Sequence, residues 1–484
     1  MGIKQKIISI FSLGLTFCLP IQANDLLGTY EQAFNNSPEL KYNYATYQSE
    51  NSDSNIALGT LLPNVSFVGQ LKSTNFYDSE SVFNGITNSQ VYSLSLSQTI
   101  FDYTLINIYR STNKSSLSAY STYEYQVQQF ILSVSEAYFT VLLAESNVKV
   151  AQEQLKATGA TLKQTKLQKQ VGTKTESDVK QIEASYYSAE ATLVKNINDL
   201  KTSYYELSVY TGVEKNVRLE SLEDNMPVPP PAPSNMQKWV DTAIESNLNL
   251  QSVLYSQTAS EVAVEACKGK FLPSVSLSAS YGYFVNPFFQ PGFGSAGSTS
   301  STGSGGLINS SISTSCLTST SNQISAGDGG VQGIPARNSS FYTGSIGVTF
   351  TWSIFNGGTD YAALEQGAQD YQNALYTTVQ TQRDLVLKTE QDYMSVLTAI
   401  SSVKAYRQAK IASDIAYKMM LDQYNVGTIT INEVLQQMQI TYKNAYDVAQ
   451  AQFDYITNML NLKLDAGALS RHDLEQINRL LKKS

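Results

Sequence analysis

The sequence contains the same series of motifs twice. "LLPNVSFVGQL" (61–71) is matched by "FLPSVSLSASY" (271–281), and "VGTKTESDV" (171–179) is matched by "VGTITINEV" (426–434). "PVPPPAPS" (227–234) lies between the two copies and has the composition of a stiff linker. Repetition of this kind predicts a duplicated structure with internal pseudo-symmetry.

The second copy contains a long insertion. Pro63 and Pro273 are 210 residues apart (273 − 63), whereas Phe101 and Phe355 are 254 residues apart (355 − 101). The second copy therefore has 44 more residues (254 − 210) between these landmarks. They fall within 286–340, a segment rich in Gly and Ser that we expect to form an exposed loop.

Four stretches alternate apolar residues with small polar ones, two stretches in each copy. In "SVSLSASYGYF" (274–284), for example, Val275 and Leu277 share one face while Ser276 and Ser278 share the other. This alternation predicts strands with two unlike faces. An uncharged polar face, a length of about ten residues and aromatic residues near the ends favour a transmembrane β-barrel over a half-buried soluble sheet. The predicted strands cover 62–75, 88–101, 272–285 and 341–356.

Four strands are too few to close a membrane barrel, because about eight are the minimum. An open sheet edge in lipid would leave backbone N–H and C=O groups without partners. Several chains must therefore share one barrel if these strands span a membrane. Three chains would contribute about twelve strands and four chains about sixteen, and the alternation does not choose between them.

Two predicted helices are too long for a compact domain. Residues 105–170 contain no proline, and apolar residues such as Val127, Val134 and Tyr138 recur at helical spacing. At about 1.5 Å per residue this segment would form a rod of about 100 Å, and 359–425 is similarly long. An isolated coiled-coil stalk, as in a secreted structural or adhesive protein, would explain the helices but not the four strands.

The composition gives no support to an enzyme. The chain has one histidine, His472, and three cysteines, so transition-metal sites and histidine-based acid–base catalysis are not expected. No glycine-rich phosphate loop follows a strand pattern. We therefore predict no catalytic residue, no metal and no cofactor. The formal net charge of −8 also disfavours nucleic acid as a partner, since phosphate neutralisation needs basic patches.

Residues 1–23 have the pattern of a secretory signal peptide. A charged start precedes a short apolar core, and Ala23 is the expected cleavage point. We find no later stretch of about 20 apolar residues, so the sequence predicts no transmembrane helix. The exported chain is expected in the periplasm, the medium or the outer membrane. Cys267 and Cys316 are expected on opposite sides of that membrane and unpaired with each other.

Each "VGT" is typical of the end of a helix. Gly172 and Gly427 can take the left-handed conformation that closes a helix, and Thr173 and Thr428 complete the turns. In both copies an acid then follows a threonine by three residues, which is the spacing of a capping box. The two pairs are Thr175 with Asp178 and Thr430 with Glu433. Each motif therefore predicts the tip of a long antiparallel helical hairpin.

Taken together, these features resemble those of TolC-type outer-membrane efflux proteins, the outer membrane factor family. The resemblance runs from about residue 24 to the C-terminus. It rests on "NSPEL" (36–40), the two "LP" strand starts, the two "IF" strand ends, the "VGT" tips and "YITNMLNLKLDAGALSRHDLEQIN" (455–478). It implies a mixed fold in which long helical hairpins form a trimeric α-barrel. Four strands per chain would contribute to a shared twelve-stranded transmembrane β-barrel.

The resemblance also implies a division of the chain. A signal peptide would cover 1–23, and the first structural repeat would cover 24–226, with its hairpin tip near residue 172. After the linker at 227–234, the second repeat would cover 235–466, with its tip near residue 427. The remaining segment, 467–484, would join an equatorial belt of short elements.

The function that the resemblance implies is transport. The trimer would lie in the outer membrane with its tunnel extending into the periplasm. It would serve as an exit duct for tripartite drug efflux, type I protein secretion or both. Its partners would be a periplasmic adaptor protein, an inner-membrane pump and outer-membrane lipid. The pump would supply the energy, so this chain would catalyse nothing.

The family narrows its tunnel at the hairpin tips, and two residues match its pore ring by position. Glu433 falls where the family places an acidic ring facing the pore. Gln436 falls where some members have a second acidic ring, which would be uncharged here. Three copies of Glu433 around a narrow opening would favour cations.

Other residues match the latch that holds neighbouring helices closed in the family. Asp178 and Tyr424 correspond to a pair that makes this latch. Ile429 stands where some members have a basic residue that strengthens it. Lys174 lies on the other tip and is a candidate to replace that positive charge.

Overall fold

The computed structural model describes residues 25–76, 85–212, 219–221, 226–286, 339–479 and 481. The helices are α1 (Leu26–Asn36), α2 (Pro38–Gly59), α3 (Tyr103–Gln170), α4 (Glu176–Thr211), α5 (Met236–Ser246), α6 (Leu248–Gly269), α7 (Thr359–Asn425), α8 (Ile431–Asp465) and α9 (Arg471–Asn478). The strands are β1 (Asn64–Phe76), β2 (Gly85–Phe101), β3 (Ser274–Asn286) and β4 (Ser339–Thr351).

The order of the elements is the same in both halves. α1, α2, β1, β2, α3 and α4 correspond in turn to α5, α6, β3, β4, α7 and α8, and α9 follows them. α1 and α5 begin at Leu26 and Met236, which are 210 residues apart (236 − 26). This is the same offset as between the two LP motifs. The internal duplication predicted from the sequence is therefore visible in the order and spacing of the elements.

The long helices form two antiparallel hairpins, α3 with α4 and α7 with α8. α3 has 68 residues and α7 has 67, so each is about 100 Å long at about 1.5 Å per residue. Asp102 begins α3 by accepting a hydrogen bond from the Leu105 N–H at 3.0 Å. α2 packs on α3, and α6 packs against both α3 and α7.

The largest apolar core lies where the hairpins meet the short helices. Tyr138 and Phe139 of α3 are almost completely buried there. They belong to one cluster with Leu26 of α1, Trp239 of α5 and Leu460 of α8. The core therefore fixes the short helices to the sides of both hairpins, at a distance from the hairpin tips.

The segment between the two halves is bound to this core. The Tyr455 hydroxyl of α8 donates to the Pro229 carbonyl at 2.9 Å. The Tyr393 hydroxyl of α7 donates to the Ser234 carbonyl at 2.6 Å. The predicted stiff linker is therefore fastened across the α7–α8 hairpin by hydrogen bonds from two different helices.

The strands form one antiparallel sheet in the order β1–β2–β3–β4. The register places Phe67 opposite Leu94 and Leu94 opposite Tyr281, and it places Ser66 opposite Ser95. One face of the sheet is therefore apolar and the other carries small polar residues, as the alternation predicted. Within the described residues, β1 and β4 are edge strands with one neighbour each.

The last strand is shorter than the sequence predicted. β4 ends at Thr351, opposite Ser274, which is the first residue of β3. The alternation predicted five more residues (356 − 351). Pro273, which precedes β3, has no N–H to donate, so the ladder stops there. The Trp352 indole N–H donates instead to the Phe271 carbonyl at 3.1 Å.

One helix departs from the prediction that no segment could cross a membrane as a helix. In the described part of the chain, α3 is long and apolar enough to do so by length and composition. More than half of its most apolar window is buried inside the molecule. α3 also carries Tyr138 and Phe139 of the main core, so we assign this apolar character to core packing.

Three predictions concern residues outside the described ranges: the signal peptide at 1–23, residues 287–338 of the Gly/Ser-rich segment predicted at 286–340, and Cys316. The first and the last two residues of that segment belong to β3 and β4. Cys267 of α6 is fully buried and disulfide-bonded. The prediction that Cys267 and Cys316 are not paired with each other stays a prediction, because Cys316 is outside the described ranges.

Candidate functional site

The two hairpins end in turns of the same geometry. Gly172 has a φ of 78° and Gly427 a φ of 83°, in the left-handed region that glycine tolerates. The N–H and Oγ1 of Thr173 both donate to the Gln168 carbonyl, at 3.0 and 2.9 Å. Thr428 repeats both bonds in the second tip, at 3.0 and 2.9 Å. "VGT" thus ends a helix because glycine supplies the backbone conformation and threonine satisfies a terminal carbonyl.

Each second helix begins with a cap that uses the predicted acid. The Thr175 N–H donates to Asp178 Oδ2 at 2.9 Å, and the Asp178 N–H donates to Thr175 Oγ1 at 3.1 Å. In the other tip the Thr430 N–H donates to Glu433 Oε2 at 2.9 Å. Both acids therefore have the capping role that their spacing predicted.

Lys174 joins the two tips. It belongs to the α3–α4 turn, and its ammonium donates to the Tyr424 carbonyl near the end of α7 at 3.1 Å. The same Nζ atom lies 3.6 Å from the centre of the Tyr424 ring, which is a cation–π contact. The Tyr424 residue is only 1% exposed, and its hydroxyl is hydrogen-bonded to Thr165 Oγ1 at 3.3 Å. α3, the α3–α4 turn and α7 therefore meet at one buried tyrosine.

The proposed latch residues Asp178 and Tyr424 bind different partners within the chain. Asp178 Oδ2 accepts hydrogen bonds from Thr175, and the Tyr424 hydroxyl pairs with Thr165. The two are still electrostatically coupled. Burial raises the pKa of Tyr424, the hydrogen bond with Thr165 lowers it in part, and the charge of Asp178 raises it further. The phenol therefore stays neutral to a higher pH than a free tyrosine.

Ile429 packs into the tip instead of carrying charge. It lies against a small buried cluster of Ile182, Tyr424, Ile431 and Val434. A basic side chain at this position would have to leave the cluster or bury its charge, which is costly. Ile429 therefore contributes apolar contact to the tip, and the positively charged group that contacts Tyr424 is Lys174.

The two candidate ring residues lie on one exposed face of α8. Glu433 and Gln436 are both exposed and three positions apart, so their side chains are neighbours on the helix surface. None of the salt bridges between described residues uses Glu433. Among the described residues, its charge is therefore not neutralised by a nearby cation, as a cation-attracting ring would require.

The sheet lies at the other end of α3, about 100 Å from the tips. Its apolar face is open, with Val65, Leu71 and Ile346 exposed by 62%, 72% and 77%. On the opposite face the Ser66 and Ser95 hydroxyls are hydrogen-bonded at 2.7 Å. The arrangement suits a sheet with lipid on one side and water on the other.

Gln98 interrupts the apolar face and was not singled out from the sequence as a functional residue. It lies opposite Leu277, at an apolar register position. Its Nε2 atom donates to the Leu61 and Thr99 carbonyls at 2.7 and 3.0 Å, so the amide N–H groups are satisfied by the main chain. The sequence signal that could have identified Gln98 is its polar side chain at an apolar position of the strand alternation. Thr165, the partner of Tyr424, had no comparable signal in the sequence.

In the described residues, charged groups lie at the hairpin tips, and serine hydroxyls and an apolar surface lie on the two faces of the sheet. Among them, no group of three or more His, Cys, Asp or Glu side chains is placed to hold a metal ion. The charged pairs near the first tip, Lys169 with Glu176 and Lys166 with Glu183, are partly exposed ion pairs. Pairs of this kind contribute little to stability and are screened by salt.

Known proteins resemble this chain over most of its length. The model of the outer membrane efflux protein family matches residues 29–213 and 239–468. Outer membrane protein TolC of Escherichia coli (strain K12) is 27% identical over 463 residues, which is 96% of this chain and 86% of that protein. Alkaline protease secretion protein AprF of Pseudomonas aeruginosa is 22% identical over 81% of this chain and 72% of that protein.

Solved channel structures have the same fold. CusC superposes with a TM-score of 0.73 at 14% identity and covers 92% of both chains. The outer membrane protein VceC of Vibrio cholerae gives a TM-score of 0.71 at 16% identity, over 91% of this chain and 96% of that one. The fold is therefore that of an outer-membrane channel. Because the family model covers both halves of the duplication, the chain belongs to the outer membrane efflux protein family.

Proposed function

We propose that this chain forms a homotrimeric outer-membrane channel that serves as an exit duct for drug efflux, type I protein secretion or both. The observation that carries the proposal is the presence, in one chain, of a two-faced four-stranded sheet and helical hairpins about 100 Å long. The apolar sheet face suits lipid, and the serine face suits a water-filled interior. The hairpins would extend the duct into the periplasm.

The open edges of the sheet support a shared barrel. β1 and β4 each have a free edge in the described chain, and a free edge in lipid would leave backbone groups unsatisfied. Pairing β4 of one chain with β1 of the next would remove both edges. Three chains would then close a barrel of about twelve strands, which is within the range of outer-membrane barrels.

The relatives support an export role. One is named an outer membrane protein and another an alkaline protease secretion protein. A duct of this kind needs a periplasmic adaptor and an inner-membrane pump to supply cargo and energy, and we propose both as partners. The chain itself would catalyse nothing.

At the tips, we assign Glu433 and Gln436 to the narrowest part of the entrance. The exposure of both side chains on one face of α8 supports this assignment. Asp178, Tyr424 and Ile429 would hold the entrance closed, with Lys174 supplying the positive charge.

A deletion strain tests the function. Loss of the protein should increase drug sensitivity, reduce secretion of a type I substrate, or do both, and a plasmid copy should restore the parent phenotype. A deletion strain with normal drug resistance and normal secretion would contradict the duct. The alternative of a secreted structural or adhesive coiled-coil protein predicts a chain that is extracted without detergent, so membrane fractionation separates the two.

A further inference from the structure

A buried carboxylate fastens the C-terminal end of α8. Asp465, the last residue of that helix, is 2% exposed. Its main-chain oxygen accepts a hydrogen bond from Asn247 Nδ2 at 2.9 Å. Its Oδ1 atom accepts one from Lys388 Nζ of α7 at 2.7 Å. Asp465 therefore ties α8 both to α7 and to the junction between α5 and α6.

A second carboxyl group faces the first. Asp392 follows Lys388 by one turn of α7, so both side chains project towards Asp465, and the two carboxyl groups are within hydrogen-bonding reach. Asp392 Oδ2 and Asp465 Oδ2 are both buried from solvent, and neither has a hydrogen-bond donor among the described residues. Two ionised carboxylates cannot satisfy each other, because each can only accept.

We propose that Asp392 and Asp465 share one bound proton in mildly acidic solution, and that this proton completes the attachment of α7 to the end of α8. A single proton turns one of the two carboxyl groups into a donor and leaves the other as its acceptor. The pair then carries one negative charge, which the ammonium of Lys388 balances. No other cation is needed at the site.

The surrounding groups favour this state. Burial, then the hydrogen bond and charge of Asp465, raise the pKa of Asp392 to about 7, while the charge of Lys388 opposes the rise. Burial lowers the pKa of Lys388, but the hydrogen bond and charge of Asp465 outweigh it and raise that pKa overall. Tyr125 of α3 is the third neighbour, and burial raises its pKa, so it is neutral at this pH.

The raised pKa fixes the direction of the pH dependence. An aspartate in the unfolded chain releases its proton at about pH 4, whereas Asp392 in the folded chain holds it to about pH 7. The folded state therefore binds more protons over this range, and stability falls as the pH rises. The contribution is complete below about pH 4 and is lost as the pH passes through about 7.

Infrared spectroscopy of the full chain in detergent, with the aspartate side-chain carboxyl carbons labelled with ¹³C, tests the proposal directly. We expect an isotope-sensitive band of a protonated carboxyl group that disappears with a midpoint near pH 7. Asp392→Asn and Asp465→Asn should each abolish it. Asp384→Asn changes an exposed carboxylate on the same helix and should leave the band unchanged. Absence of the band in the parent, or its persistence in Asp392→Asn, would overturn the proposal.

Thermal unfolding provides a second measurement. The chain has one histidine, and histidines titrate in the same pH range, so a His472→Gln background is used throughout. In that background the unfolding temperature should fall between about pH 5.5 and about pH 8.5. Asp392→Asn should flatten this profile, because its amide donates to Asp465 at every pH. The same slope with and without Asp392→Asn would contradict the shared proton.

Discussion

In our proposal, Lys174 supplies the positive charge that holds the two hairpin tips together, and Ile429 contributes apolar contact. Replacing it by Met keeps the length of the side chain but removes both the bond to the Tyr424 carbonyl and the cation–π contact. A partly exposed contact of this kind is worth about 1 kcal/mol, so we expect the closed state to lose about fivefold in population. Single-channel recordings in planar bilayers measure this as more frequent or wider opening.

The matched control for this variant is Lys163→Met, which removes an exposed lysine from α3, the helix before the turn that carries Lys174, without touching Tyr424. It should behave like the parent channel. If Lys174→Met also opens no more often than the parent, Lys174 shapes the turn but does not hold the entrance closed.

Glu433 has two separable roles in our proposal. Glu433→Gln removes the charge but keeps a side-chain oxygen that can accept from the Thr430 N–H, whereas Glu433→Ala removes both. We expect both variants to lower cation selectivity in reversal-potential measurements, because the ring loses its charge. Only Glu433→Ala should also destabilise the start of α8, by about 1 kcal/mol.

Glu365→Gln, on an exposed part of α7, is the control for both Glu433 variants. Unchanged selectivity in both Glu433 variants would leave this residue as a cap alone.

Contacts between residues that are distant in the sequence were not predictable at the residue scale. The capping acids and turn glycines were predictable because their partners lie within five residues along the chain. Lys174 and Tyr424 are 250 residues apart, and the carboxyl pair joins two helices (α7 and α8) that run antiparallel. Such contacts depend on how the hairpins pack, and no local pattern records that.

At the scale of single elements, the two tips depend on left-handed glycines. A Cβ atom at Gly172 or Gly427 would meet no atom within 4 Å, so alanine there causes strain only through the backbone. That strain is about 1–2 kcal/mol for a residue in the left-handed region. We expect Gly172→Ala and Gly427→Ala to speed hydrogen exchange in the last turn before each tip. Gly59→Ala is the control, because it also has open space but no positive φ.

Little change in hydrogen exchange at either tip, compared with Gly59→Ala, would show that the turns can be made without a left-handed residue. A larger effect at Gly172 than at Gly427 is expected, since the first turn also carries Lys174, which binds the other hairpin. Both variants should fold, because the strain is confined to exposed turns.

The elements themselves were largely predictable, and the exceptions have local causes. The long helix predicted at 105–170 begins at Tyr103, and the strand alternation gave the correct two faces. The end of β4 was wrong because alternation continues after the partner strand has stopped at Pro273. The linker composition gave no sign of the tyrosine bonds that hold it to α7 and α8.

At the scale of the whole molecule, the carboxyl pair lies between the sheet and the hairpin tips. Asp392 is 33 residues from the end of α7 (425 − 392), or about 50 Å from the tip at about 1.5 Å per residue. It precedes Tyr393, which binds the linker, and its partner Asp465 is bound by Asn247 at the junction of the short helices α5 and α6. A proton lost there would loosen the base of the α7–α8 hairpin without touching the entrance residues.

In the proposed barrel, the apolar face of the sheet contacts lipid, and two neighbouring residues of β4 can test this. Ile346 and Ser345 are adjacent on β4 but lie on opposite faces, opposite Ala279 and Ser280 of β3. Ile346→Lys would place a charge on the lipid face near the middle of the strand, at a cost of about 2–4 kcal/mol per chain. We expect it to reduce the amount of heat-modifiable trimer in the outer membrane.

Ser345→Lys would face the water-filled interior, so the trimer should assemble normally but conduct cations less well in bilayer recordings. Equal assembly of the two variants would contradict a lipid-facing apolar sheet, and failure of Ser345→Lys alone would mean that the two faces are reversed.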